Sequence, residues 1–176
     1  MGLTNKSTGI NASETKLVIK KQSRNDKVVA IAGNPNVGKS TVFNGLTGLH
    51  QHTGNWPGKT VTNAQGYCRG KENSYVLVDI PGTYSLLAHS AEEEVARNFI
   101  CFEHPDIIVV VCDATCLERN LNLVIQTIEI HTNVIVCVNL LDEAKKKGID
   151  IDLEQLSSCL GVPVIGITAR KKTDLH

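Results

Sequence analysis

Residues 33–40 read Gly33-Asn34-Pro35-Asn36-Val37-Gly38-Lys39-Ser40, a glycine followed after four residues by Gly-Lys-Ser. No other stretch limits the fold as tightly. The pattern carries meaning when a buried strand runs into it and a helix leaves it. Both contexts are present. The apolar run Val28-Val29-Ala30-Ile31-Ala32 precedes it, and Thr41-Val42-Phe43-Asn44-Gly45-Leu46 follows with helical patterning. Small residues let backbone N–H groups curl around phosphate oxygens, and the helix N-terminus adds partial positive charge. Lys39 is expected to bridge the outer phosphates and Ser40 to ligate Mg²⁺. Gly33 to Thr41 are therefore the expected phosphate-binding residues.

The rest of the chain alternates Val/Ile runs with helical-period segments, the signature of an α/β fold with a largely parallel sheet. Strands are expected at 28–33, 61–68, 74–79, 106–112, 133–138 and 163–167. Several are apolar on both faces, as in strands covered by helices on each side. The turn from Arg69 to Asn73 is too short for a parallel crossover, so 61–68 and 74–79 must form an antiparallel hairpin. Ser90-x-x-Glu93, Thr115-x-x-Glu118 and Asp152-x-x-Gln155 have the form of helix-starting capping boxes. Val95, Phe99 and Phe102, then Leu117, Leu121, Val124 and Ile128, form apolar stripes expected to face the core.

Three further segments extend the chemistry. Asp79-Ile80-Pro81-Gly82 closes the third expected strand. A carboxylate there can hold Mg²⁺, and Gly82 lets its amide approach a γ-phosphate. Asn139-Leu140-Leu141-Asp142 follows the strand at 133–138. The Asp142 carboxylate suits the N1–H and exocyclic amino group of guanine, whereas adenine would leave it unpaired. Asn139 alone also suits a helix cap; at this position it is expected to bond the base and pin the loops. Thr168-Ala169-Arg170 follows the last strand, where a small residue lets a backbone N–H face the guanine 6-oxo group. Between the first helix and the hairpin, residues 49–60 are rich in Gly, Pro and Asn and read as a mobile loop. Thr60 on that loop is a candidate Mg²⁺ ligand when a γ-phosphate is present.

Length and charge bound the remaining possibilities. The chain has 176 residues, the size of one domain, and a formal net charge of zero. Six positive residues lie in 1–27 (Lys6, Lys16, Lys20, Lys21, Arg24, Lys27) against Glu14 and Asp26. That segment is therefore expected to be a basic flexible tail of net +4 on a body of net −4. A body without a basic stripe disfavours nucleic acid as a partner. The longest apolar run, Ile107 to Cys112, is far short of the roughly 20 residues of a membrane helix. With no C-x-x-C pair and no secretory signal, the six cysteines read as free thiols in a reducing compartment. Cys112 with Cys116, and His50 with His52, lack further ligands nearby and are not expected to bind metal.

These segments, in this order, resemble a Ras-like P-loop GTPase. The G-N-P-N-V-G-K-S-T loop joined to H-T-G-N-W-P-G-K-T-V, D-I-P-G-T-Y-S-L and N-L-L-D-E-A resembles the G domain of the FeoB family, prokaryotic ferrous iron transport protein B. The likeness covers about 28–172, and the N-W-P-G-x-T-V stretch is its most specific part. It implies an α/β Ras-like fold with a six-stranded, mostly parallel sheet, one antiparallel strand and helices on both faces. It also implies a division into the tail at 1–27 and a GTP-binding G domain at 28–176, cut from a protein with helical and membrane regions beyond. GTP or GDP, Mg²⁺ and K⁺ are the implied cofactors. The implied location is the cytoplasmic face of the bacterial inner membrane, the fragment itself being soluble.

Where Ras-type enzymes place a water-orienting Gln after the D-x-x-G glycine, this chain has Thr83, better suited to shaping a loop. The resemblance supplies substitutes: the Asn36 side-chain oxygen for a K⁺ ion beside the phosphates, and backbone groups of the 54–60 loop, Gly58 among them, for the water. Asn36, Lys39, Thr60 and Gly82 are thus the expected catalytic set. The implied role is a switch that regulates or drives iron transport through slow, K⁺-stimulated hydrolysis. A ribosome-associated GTPase of the Era or Der type, and a nucleotide sensor with negligible turnover, are the competing readings. The residues leave oligomeric state open, self-association through the G domain included.

Overall fold

The computed structural model describes residues 17–48, 51–87 and 89–168. Its elements run β1 (Lys27–Gly33), α1 (Lys39–Thr47), β2 (Gln51–Asn55), β3 (Thr62–Arg69), β4 (Ser74–Asp79), α2 (Ala91–Phe102), β5 (Ile107–Asp113), α3 (Leu117–Ile130), β6 (Val134–Asn139), α4 (Leu141–Lys146), α5 (Leu153–Leu160) and β7 (Val164–Gly166). A short 3₁₀ turn, Ala114–Cys116, joins β5 to α3.

The sheet has the order β2-β3-β4-β1-β5-β6-β7. β1 lies between β4 and β5, parallel to both, and β3 runs antiparallel to each of its neighbours. Period-2 alternation explains why β1 is apolar throughout. Val28, Ala30 and Ala32 face one core with α2 and α3, while Val29 and Ile31 face another with Val42 and Phe43 of α1. Parallel packing brings the C-terminal ends of β1, β4, β5 and β6 to one edge, where the loops that carry chemistry emerge.

The sheet has seven strands rather than six. The addition, β2, lies in the stretch that the sequence marks as loop. Gln-His-Thr-Gly-Asn has no apolar alternation to reveal a strand. It is held by main-chain pairing from Gln51↔Gly66 to Asn55↔Thr62, which needs no particular side chains. The Trp56 N–H donates to the Val61 carbonyl at 2.8 Å and the Lys59 N–H to the Trp56 carbonyl at 3.0 Å. Residues 56–61 are therefore a hairpin tip.

Other expectations meet local corrections. The Ser90 and Asp152 side chains cap α2 and α5, accepting from the Glu93 and Gln155 amides. Thr115 caps nothing: its own N–H donates to Asp113, and the 3₁₀ turn displaces the start of α3 to Leu117. Val95 and Phe99 are buried, but Phe102, in the last turn of α2, is 64 % exposed. At the end of the basic segment residues 20–25 are exposed, with local contacts just before them. Leu17 is buried, and Gln65 of β3 brackets the chain by donating to the Val18 carbonyl and accepting from the Lys20 N–H, both at 3.0 Å. Cys112 and Cys137 lie in the two cores, where burial pushes their thiols up to about 12.

Candidate nucleotide-binding site

The loop after β1 is built by close approach. A side chain at Gly33 would come within 2.5 Å of the Val111 carbonyl oxygen. Gly38, at φ 85°, sits in the left-handed region, and a Cβ there would lie 2.3 Å from the Asn139 Nδ2. That amide donates to the Val37 carbonyl at 3.0 Å, tying the end of β6 to the loop. α1 begins at Lys39 with Gly38 as its cap, without a capping side chain and without an acidic residue in its first turn. Its N-terminal amides thus face the cleft with their dipole uncompensated.

Asn34, Pro35, Asn36, Gly38, Lys39, Ser40, Thr41 and Gly82 enclose a cleft of about 430 Å³. Gly82 packs against this loop so closely that a Cβ would stand 3.2 Å from the Pro35 Cα and N. Lys39 forms an ion pair with Asp79 at the end of β4. Burial raises the Asp79 carboxyl above the ordinary aspartate range, with Lys39 opposing the rise. Thr83 is buried; its N–H donates to the Gly33 carbonyl at 3.2 Å and its hydroxyl to the Ser85 carbonyl at 2.6 Å. Both donor groups are engaged in shaping the loop.

At the neighbouring strand end, Asn139 is buried and Leu140 adopts φ 63°. That left-handed step starts α4, whose first turn carries Asp142. The Asp142 Oδ1 is buried with no hydrogen-bond partner. A buried acceptor in this condition is open to a donor from water or from a bound molecule. Thr168 follows β7, which lies beside β6. Ala169 and Arg170 lie outside the described residues, as do Leu49 and His50.

Gly58 and Thr60 are not in the walls of this cleft. Both are exposed on the hairpin tip, where a side chain at Gly58 would meet nothing within 4 Å. The tip rests against α2. Trp56 packs edge-on against Phe99, with centroids 5.3 Å apart, and Lys59 pairs with Glu94 at 2.7 Å. Sequence reasoning missed this seat, and it missed Asn34 as an anchor, whose side chain is buried and whose Nδ2 donates to the Arg119 carbonyl at 3.5 Å. The seat's signal, Trp56 facing a Phe99 several elements away, is long-range and silent in a local pattern. The oxygen donors of Ser40, Asp79 and Thr60 suit a hard divalent cation, and the Asn36 amide oxygen suits a monovalent one.

The family model described as ferrous iron transport protein B matches residues 27–176. The Fe(2+) transporter FeoB of Shigella flexneri is 42 % identical over 147 residues, which are 81 % of this chain and 19 % of that protein. The chain thus spans about a fifth of the length of that curated relative. The G domain of the T. maritima FeoB iron transporter superposes with a TM-score of 0.77 at 39 % identity, covering 82 % of this chain and 88 % of that one. The cytosolic domain of the same transporter, in a GDP form and in a GMPPNP form, gives a TM-score of 0.81 at 39 % identity over 85 % of this chain and 59 % of the other. The fold is the α/β Ras-like fold of G domains. The chain belongs to the ferrous iron transport protein B family and is a G domain of it.

Proposed function

We propose that this chain binds guanine nucleotide and hydrolyses GTP slowly, faster with K⁺ than with Na⁺, as a switch that regulates or drives ferrous iron transport from the cytoplasmic face of the bacterial membrane. The observation that carries the reading is the bond from Asn139 to the Val37 carbonyl, with Asp142 Oδ1 buried and unpartnered beyond it. One strand end thereby serves both halves of a nucleotide. The likeness to solved relatives in GDP and GMPPNP forms supports the same ligand class.

Each residue then has a task. Loop N–H groups between Asn34 and Thr41, Pro35 having none, and the α1 N-terminus donate to phosphate oxygens. Lys39 leaves its Asp79 partner for the β- and γ-phosphates, its charge being better matched there. Asp142 accepts from the guanine N1–H and amino group, and backbone at Thr168, Ala169 and Arg170 faces the 6-oxo group. Ser40, Asp79 and Thr60 would hold Mg²⁺, which supplies charge neutralisation on the phosphates when bound. Asn36 would hold K⁺ in the role that an arginine serves in other GTPases. The Gly82 amide donates toward the γ-phosphate, and hairpin backbone, Gly58 included, orients water. The body's charge disfavours nucleic acid, so the remaining partners are the helical and membrane regions of the longer protein and a second G domain.

GTP turnover measured in equimolar KCl and NaCl, with ATP as control, tests this reading. Turnover confined to GTP and faster in KCl is expected. Equal rates in both salts would remove the K⁺ role, and equal turnover of ATP would remove the guanine assignment.

A further inference from the structure

One face of α3 grips the chain just downstream of Gly82. Arg119, Asn122 and Gln126 are spaced three and four residues apart, so they stack along one side of the helix. The Arg119 guanidinium lies 4.2 Å over the Tyr84 ring. Asn122 Nδ2 donates to the Tyr84 carbonyl at 3.2 Å. Gln126 Oε1 accepts twice, from the Leu86 N–H at 2.7 Å and the Ser85 hydroxyl at 3.2 Å. At its other end the same segment is tied to the phosphate loop, through Thr83 to the Gly33 carbonyl. Asn34 closes the ring by donating to the Arg119 carbonyl. Side chains of α3 and the phosphate loop thus hold residues 83–86, a stretch without regular structure, at both ends.

We propose that Gln126, assisted by Asn122 and Arg119, is a positioning residue that keeps Gly82 in the wall of the phosphate cleft. The inference rests on the GTP-hydrolysing reading above. Gly82 lines the cleft and packs tightly on Pro35, a Cβ there lying 3.2 Å from the Pro35 Cα and N, so the 82–86 segment and the loop must keep their spacing for its amide to face the cleft. Leu86 is buried and anchors the segment roughly; the paired bonds at Gln126 set its register. Pre-setting a donor for charge that develops during reaction accelerates the chemical step more than it tightens binding. Because Gly82 serves the γ-phosphate end, GDP gains nothing from it.

Gln126→Leu removes the acceptor at similar volume, whereas Gln126→Glu keeps an oxygen for both bonds. Gln126→Leu is expected to lower kcat for GTP about tenfold and to weaken GMPPNP severalfold, with GDP affinity unchanged within about twofold; Gln126→Glu stays near wild type. Wild-type kcat in Gln126→Leu, equal losses for GDP and GMPPNP, or a Gln126→Glu as impaired as Gln126→Leu would overturn the proposal. The GMPPNP-to-GDP affinity ratio reads the same device without turnover. Failure of wild type to bind either nucleotide would instead overturn the functional reading.

Discussion

The two glycines Gly38 and Gly58 mark two regions built on opposite principles. Both have positive φ, 85° and 67°. Around Gly38 there is no spare space: a Cβ would strike the Asn139 amide at 2.3 Å, and that amide is already bonded to Val37. Around Gly58 there is nothing within 4 Å; the hairpin is fixed at Trp56, which is buried against Phe99 of α2, and Lys59 pairs with Glu94, while Gly58 and Thr60 stay exposed. The loop around Gly38 is therefore fixed by its own packing. Beyond the buried Trp56 the tip is exposed at Gly58 and Thr60, as suits a segment expected to carry Thr60 toward and away from the phosphates.

Exchanging either glycine for alanine is the most severe test of that contrast. Gly38→Ala is expected to weaken GDP by about a hundredfold or more, since the loop must shift by more than an ångström. Gly58→Ala meets only backbone strain, about 1 kcal/mol, and GDP affinity stays within about twofold. Calorimetric titration with GDP checks both, and similar losses in the two variants would end the contrast. A smaller effect is expected at Asn36. Its φ of 66° makes Gly the clean replacement, because Ala would add left-handed strain. Asn36→Gly is expected to abolish the difference between KCl and NaCl rates, a severalfold effect, while Mg²⁺-GDP binding persists.

The pH response separates the regions further. Burial raises Asp79 in the folded protein, so its carboxylate protonates at higher pH than an ordinary aspartate as acid is added. The folded state then binds more protons than the unfolded one above the usual aspartate pKa, and this group's contribution to stability falls as pH rises through that window. Mg²⁺-dependent GDP affinity is expected to have the opposite trend, failing first on the acid side, at a pH above the normal aspartate range. Loss only within the normal range would contradict the burial argument. The smallest effect is at the tip. Glu94 is held below the usual glutamate range by Lys59, yet the pair is exposed, so Glu94→Gln is expected to move the melting midpoint by no more than about 2 °C.

Legibility in the sequence follows the same division. The loop at 33–40, the Asp79–Gly82 turn and the Asn139–Asp142 segment are local patterns with fixed spacing, and Gly82 and Lys39 line one cleft. What could not be read depended on contacts between distant segments. β2 exists through backbone pairing with β3, Phe102 is turned outward at the end of α2, and Leu17 is buried in the core shared with Trp56 and Phe99 while Gln65 bonds its neighbours. Arg119, Asn122 and Gln126 of α3 gain their contacts only where the 84–86 segment is laid against them, a pairing no local pattern carries.

The central claim is that the end of β6 selects guanine, and Asp142 tests it most directly. Titrating wild type and Asp142→Asn with GDP and with xanthosine diphosphate gives four affinities. The account predicts that the variant loses GDP by about a hundredfold or more and gains xanthosine diphosphate, because the side chain then offers a donor to the 2-oxo group. An Asp142→Asn variant with unchanged preference for GDP over the xanthine nucleotide would contradict it.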